Sequence, residues 1–494
     1  MPNTAITKLQ PYFEKMNRLK QLLSILNFDV ETKAPAKGME KENDLIAFYS
    51  AEYARIAKDR EFIALVKEAE ELGGLNDAEA LNIEDLLDEI RLMEKLPIET
   101  YIEWEKDTSK CIEMWRKAKR ASDWSMVKPY FEKLVANKKK EAVLLAKPGQ
   151  KTLYDAFLST YEKGQLESDI DAVFGPLKEF LIANLPAVLE RQSKIHFKPL
   201  DDHPKHEQED LAYDALKAID YELDRGALGE VEHPFSDNIA RDDCRVTTHY
   251  HIDDWRCSLY SILHEGGHAI QFQNWSDYEF DNHVDGRASA ALCETHSRFY
   301  ENLIGRSKEF ASILLPICQK DLGGELKNMD VDDFYHLVNK VERSLVRTEA
   351  DEYTYCLHII LRYELERDLI NGKLSIDELP AAWNAKYKEY LGIEVPSDAK
   401  GILQDVHWFQ GSFGYFPSYA LGNLYGAQIM AKMKEELDVS RLMSKGNLAP
   451  IKAWLRRKDF AYDYLDPKDW ITKVTGKAMD PNYFISYIKE KFLG

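Results

Sequence analysis

The chain has few of the features that mark secreted or membrane proteins. Its six cysteines are scattered over 494 residues without a CxxC pair, which argues against a disulfide framework. No 18 apolar residues follow one another, so the sequence predicts no membrane span. The first 27 residues mix charges among apolar positions, unlike a signal peptide. We therefore expect a cytoplasmic protein with reduced thiols.

Positive charge is also scarce. The chain has 65 lysines and arginines against 85 acidic residues, for a net charge of −20. Nucleic acid or an anionic membrane would be repelled over much of such a surface, so we expect neither as a main partner. Hydrophobic residues make up 45% of the chain and charged residues 30%, which is enough apolar material for a large core beneath a solvated surface.

Strand-like alternation is rare, and most of the chain has helical periodicity. The stretches "MNRLKQLLSILNF" and "DFYHLVNKVERSLV" show it clearly. The main exception is "CRVTTHYHI", residues 244–252, which alternates as a strand does. No long linker or fixed-period repeat interrupts the pattern. The sequence predicts one domain over residues 1–494, a mainly α body with a small β-sheet beside the helix that follows this strand.

The stretch "SILHEGGHAIQFQ", residues 261–273, holds the strongest candidate site. On a helix, His264 and His268 lie one turn apart on the same face and can present two imidazoles to one metal ion. Glu265 lies beside that face, where its carboxylate can act as a general base. Gly266 and Gly267 each cost about 1 kcal/mol inside a helix relative to alanine. Their presence predicts a close approach of substrate or of another element to this helix.

A catalytic zinc usually has three protein ligands, so a third ligand is needed. Glu294 is the nearest good candidate, because it lies in a helical stretch that follows a loop and can return a carboxylate to the first helix. Glu301 and His283 are alternatives. We interpret both of these as surface or outer groups around the site.

An ordered series of further motifs accompanies these residues. It consists of "LNFDVETKAP" near the N-terminus, "TLYDAFLSTYEKG" (152–164), "HPF" (233–235), "DCRVT" (243–247), "VRTEAD" (346–351), "GILQDVHW" (401–408) and "GSFGYFPSYALGNLYGAQ". With "HEGGH", this series resembles the carboxypeptidase Taq family of zinc metallocarboxypeptidases, which remove single residues from peptide C-termini. The resemblance covers nearly the whole chain.

The resemblance implies one Zn²⁺ per chain, bound by His264, His268 and Glu294, with Glu265 as general base. Co²⁺ or another divalent ion can substitute in such a site. The resemblance also implies a deep cleft at the active-site helix, peptide substrates bound by their C-terminus, broad specificity and a homodimer.

Further roles follow from the matching motifs. Arg347 would hold the substrate's terminal carboxylate, which suits a planar and permanently charged group. His407 would line the cleft, and either Tyr415 or Tyr419 would donate a hydrogen bond to the oxyanion. The substrate-binding positions also include Asp243 and Arg245, for which a structural ion pair in the cleft wall is an equal alternative.

One motif departs from the family. Where the family has HESQ or HEGQ around its third ligand, this chain reads Cys293, Glu294, Thr295 and His296. The ligand is kept but its neighbours are not, and outer neighbours tune both a metal and its ligands.

Two other functions stay open on the sequence. One is an HExxH oligopeptidase or dipeptidase that cuts short peptides internally. The other is a non-catalytic helical protein that keeps zinc as a structural element, although an intact Glu265 argues against it.

Overall fold

Helices dominate the protein. The computed structural model describes residues 3–494, and it is 69% helical with one small sheet. The mainly α prediction is therefore confirmed.

The helices follow one another with short connections. The N-terminal part holds α1 (Thr4–Thr32), α2 (Met39–Ala57), α3 (Arg60–Leu72), α4 (Asp77–Lys95) and α5 (Ile98–Ala121). Next come α6 (Lys128–Leu145), α7 (Leu153–Tyr161), α8 (Glu167–Gln192) and α9 (Lys205–Ala218). The middle holds α10 (Trp255–Gln273), α11 (Asp277–Asp281), α12 (Ala290–Arg298), α13 (Lys308–Asp321), α14 (Val331–Val338) and α15 (Glu352–Ile370). The last are α16 (Leu379–Leu391), α17 (Phe416–Lys434), α18 (Val439–Ser444), α19 (Ala449–Lys458), α20 (Pro467–Thr475) and α21 (Asn482–Leu493).

The sheet has three strands in the order β1-β3-β2. They are β1 (Leu228–Glu230), β2 (Ser236–Ala240) and β3 (Asp243–Thr248). β1 pairs with β3 in parallel and β2 pairs with it antiparallel, and β3 packs on α10. A small sheet beside this helix is thus confirmed. The strand predicted over residues 244–252 is too long, because the ladder to β1 ends at Thr248 and the chain then turns towards α10.

The helix predicted by "DFYHLVNKVERSLV" is also too long. α14 ends at Val338, where the side-chain amide of Asn339 donates to the carbonyls of Arg306, at 3.0 Å, and Tyr335, at 2.9 Å. An asparagine that binds nearby carbonyls in this way favours the end of a helix over its continuation. The chain then runs to Arg347 outside any α-helix.

The core has one large part, one smaller part and a third cluster of Ala78, Val284 and Tyr464. The large core spans most of the chain from α5 to α21, and most residues of α10 are buried within it. The smaller core joins α1 to α3 and α4 through residues such as Leu9, Phe62 and Leu87. The prediction of a single domain stays a prediction.

α8 qualifies the prediction that no segment could span a membrane. By length and composition alone it is long and apolar enough to cross a membrane, with a mean hydropathy of 1.4 over its most apolar 18 residues. Its six buried residues are Ile170, Phe174, Leu177, Leu181, Leu185 and Val188. They recur every three or four positions, which is the pattern of a helix that packs one face on a core. This face contacts α15 and α21.

Candidate active site

The two candidate histidines lie on α10, which begins where the Asp254 side chain accepts a hydrogen bond from the Arg256 amide at 3.1 Å. No proline interrupts α10, so His264 and His268, four residues apart, lie about one helical turn from each other. Their ring centroids are 5.1 Å from each other. The spacing argument from the sequence therefore places both imidazoles on one face.

The two glycines of "HEGGH" mark close packing of α10. A Cβ at Gly267 would lie 2.6 Å from the carbonyl oxygen of His296 and 2.8 Å from the Cα of Ser297, which are backbone atoms of α12. A Cβ at Gly266 would meet the Ile219 side chain at 2.6 Å. The predicted close approach of another element is confirmed, and it explains how α12 reaches the histidines.

α12 brings Glu294 to the histidines. One ligand atom from each of His264, His268 and Glu294 lies within 4.8 Å of the others, and His264 Nε2 is 3.7 Å from Glu294 Oε2. Two imidazole nitrogens and one carboxylate oxygen are the donor set of many catalytic zinc sites. The residues present therefore fit one divalent metal ion, and the predicted return of a carboxylate from a second helix agrees with the structure.

Hydrogen bonds on the outer side fix the two imidazoles. Glu301 accepts a bond from His264 Nδ1 at 3.0 Å, which leaves Nε2 free to face Glu294. His268 bonds the backbone at Cys293, and burial together with the neighbouring His264 lowers its pKa well below the ordinary value. A neutral, oriented imidazole is the form that binds a metal.

Glu301 is held in turn by arginines. Arg298 donates to it at 2.8 Å, and Arg306 lies 3.6 Å from its other oxygen. Burial would raise the pKa of Glu301, but these arginines and His264 outweigh burial and lower it. Glu301 is thus a buried anion around the site, as the sequence interpretation expects of an outer group.

Glu265 is buried, with 7% of its surface exposed. Burial raises the pKa of its carboxyl to about 7, while His264 and a hydrogen bond from Ser236 oppose that rise. Ser236 is the first residue of β2, so the small sheet contacts the predicted base directly.

Arg347 lies outside the triad but is linked to it. It donates through Nε to Asp405 at 3.0 Å and through Nη1 to the Tyr355 hydroxyl at 3.3 Å. The guanidinium of Arg298 also lies over the Tyr355 ring, 4.3 Å from its centroid. Arg298 Nε is in turn 3.8 Å from Glu294 Oε2. Arg347 is thus two side chains away from the third candidate ligand.

The carboxylate of Asp405 fixes the direction of Arg347. Its second oxygen accepts from Arg362 Nε at 2.7 Å, and Arg362 is fully buried. Burial would raise the pKa of Asp405, but the two arginines hold it well below the ordinary value. This carboxylate is a permanent anchor for Arg347.

His407 and the two tyrosines lie together. His407 Nε2 is 3.4 Å from the Tyr419 hydroxyl, the rings of Tyr415 and Tyr419 are 5.1 Å apart, and Arg347 lies over the Tyr419 ring at 5.0 Å. Burial lowers the pKa of His407 to about 4, so the ring is neutral at physiological pH. Burial raises the pKa of both tyrosine hydroxyls, and both stay protonated as donors.

Asp243 and Arg245 bind each other. Two parallel hydrogen bonds of 2.8 Å join them on β3, and the guanidinium of Arg245 lies over the Phe28 ring of α1 at 5.1 Å. Of the two sequence interpretations, this geometry favours the structural ion pair. The alternative ligand His283 lies elsewhere, since its Nε2 is 2.9 Å from Gln10 Oε1 on α1.

Sequence reasoning missed three groups that hold the site. Asp405 lies inside the quoted "GILQDVHW". Its role could be seen only in the folded protein, because its arginine partners are 43 and 58 residues away in the sequence. Arg298 had a local signal, since it is four residues after Glu294 on a helix. Ser236 follows "HPF" directly, but only the sheet brings it to Glu265.

The chain matches known proteins over its full length. A family model described as carboxypeptidase Taq (M32) metallopeptidase matches residues 8–492. Carboxypeptidase 1 of Bacillus subtilis is 35% identical over 97% of both chains. Thermostable carboxypeptidase 1 of Pyrococcus furiosus is 32% identical over 99% of both.

The fold agrees with the sequence matches. The solved structure of Trypanosoma cruzi metallocarboxypeptidase 1 superposes with a TM-score of 0.94 at 30% identity, covering 99% of this chain and 100% of that one. The family model, the two relatives and this solved structure all carry the name of a carboxypeptidase. The chain belongs to the carboxypeptidase Taq (M32) metallopeptidase family.

Proposed function

We propose that the protein is a zinc-dependent carboxypeptidase that releases single residues from the C-termini of peptides with broad specificity. The observation that carries the proposal is the position of Arg347, a buried cation linked through Tyr355 and Arg298 to Glu294 of the triad of His264, His268 and Glu294. A cation at that place can bind the terminal carboxylate of a peptide whose last peptide bond lies over the triad.

The donor set favours zinc as the metal. Two imidazoles and a carboxylate suit Zn²⁺, and Co²⁺ or another divalent ion can substitute. When bound, the ion would polarise the scissile carbonyl and lower the pKa of a water. We propose one such ion per chain, held by His264, His268 and Glu294.

The chain's own residues handle the protons and the charges. Glu265 accepts the proton of the attacking water and passes it to the leaving nitrogen, with Ser236 orienting its carboxyl. Arg347 binds the terminal carboxylate, and Asp405 keeps its guanidinium in place. Because the cation recognises only a free chain end, the enzyme acts on the last residue.

The oxyanion donor is one of two tyrosines. Burial raises the pKa of both Tyr415 and Tyr419, so both keep their protons, and both lie against His407, at 5.7 Å between the rings of His407 and Tyr415 and 3.4 Å from His407 Nε2 to the Tyr419 hydroxyl. A positioned hydroxyl donor at a developing oxyanion contributes several kcal/mol, typically about 3. Comparison of Tyr415→Phe with Tyr419→Phe would identify the donor. Only the substitution that removes the donating hydroxyl should lower kcat by the amount that this hydrogen bond contributes.

We also propose a homodimer in the cytoplasm. The homodimer and the broad specificity rest on the family resemblance. The reducing compartment is supported by the six cysteines, all of which are free thiols.

The test compares two matched peptide panels that differ only at the C-terminus. A mixed peptide panel with free C-termini is incubated with the zinc-loaded protein, and the same panel with amidated C-termini is run beside it. We expect single residues to be released from the free peptides alone, with release stopped by chelator. Products are identified by mass. Undiminished cleavage of the amidated panel would instead establish the oligopeptidase alternative.

A variant separates catalysis from metal binding. Glu265→Gln keeps the size of the base and leaves the three ligands unchanged, so we expect one bound zinc and no release of amino acids. Zinc-loaded wild-type protein that releases nothing from any peptide would establish the non-catalytic alternative.

A further inference from the structure

α7 lies along the segment that carries the two tyrosines. A Cβ at Gly414 would lie 2.6 Å from the backbone carbonyl carbon and oxygen of Phe157, so the two backbones touch. One turn later, the rings of Tyr161 and Tyr415 meet edge to face with centroids 5.0 Å apart. The quoted stretch "TLYDAFLSTYEKG" thus supports the tyrosines, a role its sequence did not reveal.

Glu162 directly follows α7 and accepts two hydrogen bonds. Its side chain is fully buried, and its Oε1 accepts from the Ala291 amide and from the Ser418 hydroxyl, both at 2.7 Å. Ala291 lies in the first turn of α12, three residues before Glu294. Ser418 lies in α17, directly before Tyr419. One oxygen atom therefore joins the helix of the third candidate ligand to the helix of the oxyanion donors.

The two joined helices touch through their backbones. A Cβ at Gly422 of α17 would lie 2.8 Å from the carbonyl carbon of Glu294. The hydrophobic effect is not directional, so hydrogen bonds contribute to the alignment of the two helices; Asn302 donates to Asn423 at 3.3 Å further along them. The Ala291 amide is one of the first amides of its helix, which have no partner inside the helix. Glu162 supplies that partner and sets the register.

The second oxygen of Glu162 makes no such contact. Oε2 has no hydrogen-bond partner in the described part of the chain. Burial raises the pKa of the carboxyl to about 7, opposed by hydrogen bonds from Ser418, from the Ala291 amide and from Ser289 at the start of α12. Both helix contacts thus depend on one accepting oxygen, and a neutral amide can provide it as well.

We propose that Glu162 is a positioning residue that fixes Glu294 against Tyr415 and Tyr419, so that the oxyanion donor and the metal site keep their productive spacing. The proposal rests on the proposed function. Since Glu162 touches neither substrate nor metal ligands, it affects the chemical step through spacing alone. A displacement of about 1 Å at a reaction centre can cost on the order of 100-fold in rate.

The test compares two substitutions at this position with wild-type enzyme. Glu162→Ala removes the acceptor, and we expect kcat to fall roughly 10- to 100-fold per zinc-loaded chain. KM should change less than about twofold, because Arg347 and its anchor are untouched. Glu162→Gln keeps the accepting oxygen, and its kcat should lie within about threefold of wild type. Zinc content is measured for every variant.

A double-mutant cycle shows whether the two bonds act together. Ser418→Ala removes one donor, and we expect its loss in kcat to disappear largely in the Glu162→Ala background. Additive losses would contradict the proposed link.

Asp155→Ala is the matched control. Asp155 is a buried carboxylate on α7, the helix that Glu162 directly follows, but it accepts from the amides of Lys151, Thr152 and Glu167, away from the tyrosines. We expect it to lower stability and leave kcat of the folded, zinc-loaded enzyme unchanged. Unchanged kcat in Glu162→Ala, or an equal loss in Asp155→Ala, would overturn the proposal while wild-type activity upholds the proposed function. An inactive wild type would instead refute the proposed function.

Discussion

A buried pair of acids beside α10 predicts how stability changes with pH. Glu279 is fully buried, and its Oε2 accepts from the amide and the hydroxyl of Ser276, both at 2.7 Å. Asp463 accepts from Gln271 at 2.6 Å and from Trp275 at 2.8 Å. Burial and the neighbouring Asp463 raise the pKa of Glu279 well above neutral pH. The pair therefore keeps one proton at neutral pH.

The proton on this pair makes stability fall as pH rises. The carboxyl of Glu279 in the unfolded chain has its ordinary pKa of 4.5, so from that pH up to the raised pKa the folded chain binds one more proton than the unfolded chain. The contribution to the free energy of unfolding is complete below pH 4.5 and is lost above it by about 1.4 kcal/mol per pH unit. At pH 7 the loss amounts to about 3 kcal/mol.

Glu279→Gln should remove this dependence. Its amide oxygen can accept the bonds from Ser276, and its NH₂ can donate to Asp463 in place of the shared proton. We expect the variant to match wild type near pH 4.5 and to be more stable at pH 7 by up to about 3 kcal/mol. Chemical denaturation at several pH values measures the difference.

A second helix start provides the control for this experiment. Glu79 occupies the same capping position in α4, where it accepts from the Asn76 amide at 2.8 Å, but it is partly exposed. Glu79→Gln should change stability by less than about 1 kcal/mol at every pH. Parallel stability curves for wild type and Glu279→Gln would refute the reasoning.

Close packing, the outer bonds and the anchored arginine give three further tests. Gly267→Ala should destabilise the fold by about 3 kcal/mol, because its Cβ meets backbone of α12, whereas Gly266→Ala meets side chains that can move; equal losses on denaturation would contradict this. Glu301→Gln should weaken zinc affinity about 10- to 100-fold in chelator competition without unfolding the chain, and unchanged affinity would remove its assigned role. Arg347→Lys should lower kcat/KM for free peptides about 100-fold, a prediction that fails if the loss is less than tenfold.

The site was predictable from the sequence where its geometry is local. His264 and His268 need only one helical turn, and the helix followed from periodicity. Glu294 needed one loop and one more helix, both of which left signals in turn residues and a capping serine. Arg347 was different. The pattern extended a helix up to it, but α14 ends at Val338, and its position depends on Asp405, 58 residues later.

Long-range bonds of this kind leave no periodic signal. A hydrogen bond between distant residues depends on how complete helices pack, and packing follows from the shape of the whole core rather than from a local pattern. Glu162 illustrates the limit. Its position after α7 reads as an exposed helix end, yet the fold buries it completely.

The departure at Cys293, Glu294, Thr295 and His296 has a structural explanation. His296 lies on the far side of α12 from the triad, with Nε2 3.2 Å from Asp459 and 1% of its surface exposed. His268 bonds the backbone at Cys293, and any residue provides that group. Thr295 donates to the Ala291 carbonyl at 2.7 Å, within its own helix. The bonds that orient the two histidines thus come from Glu301 and from the backbone at Cys293, and the altered side chains at positions 293, 295 and 296 supply none of them.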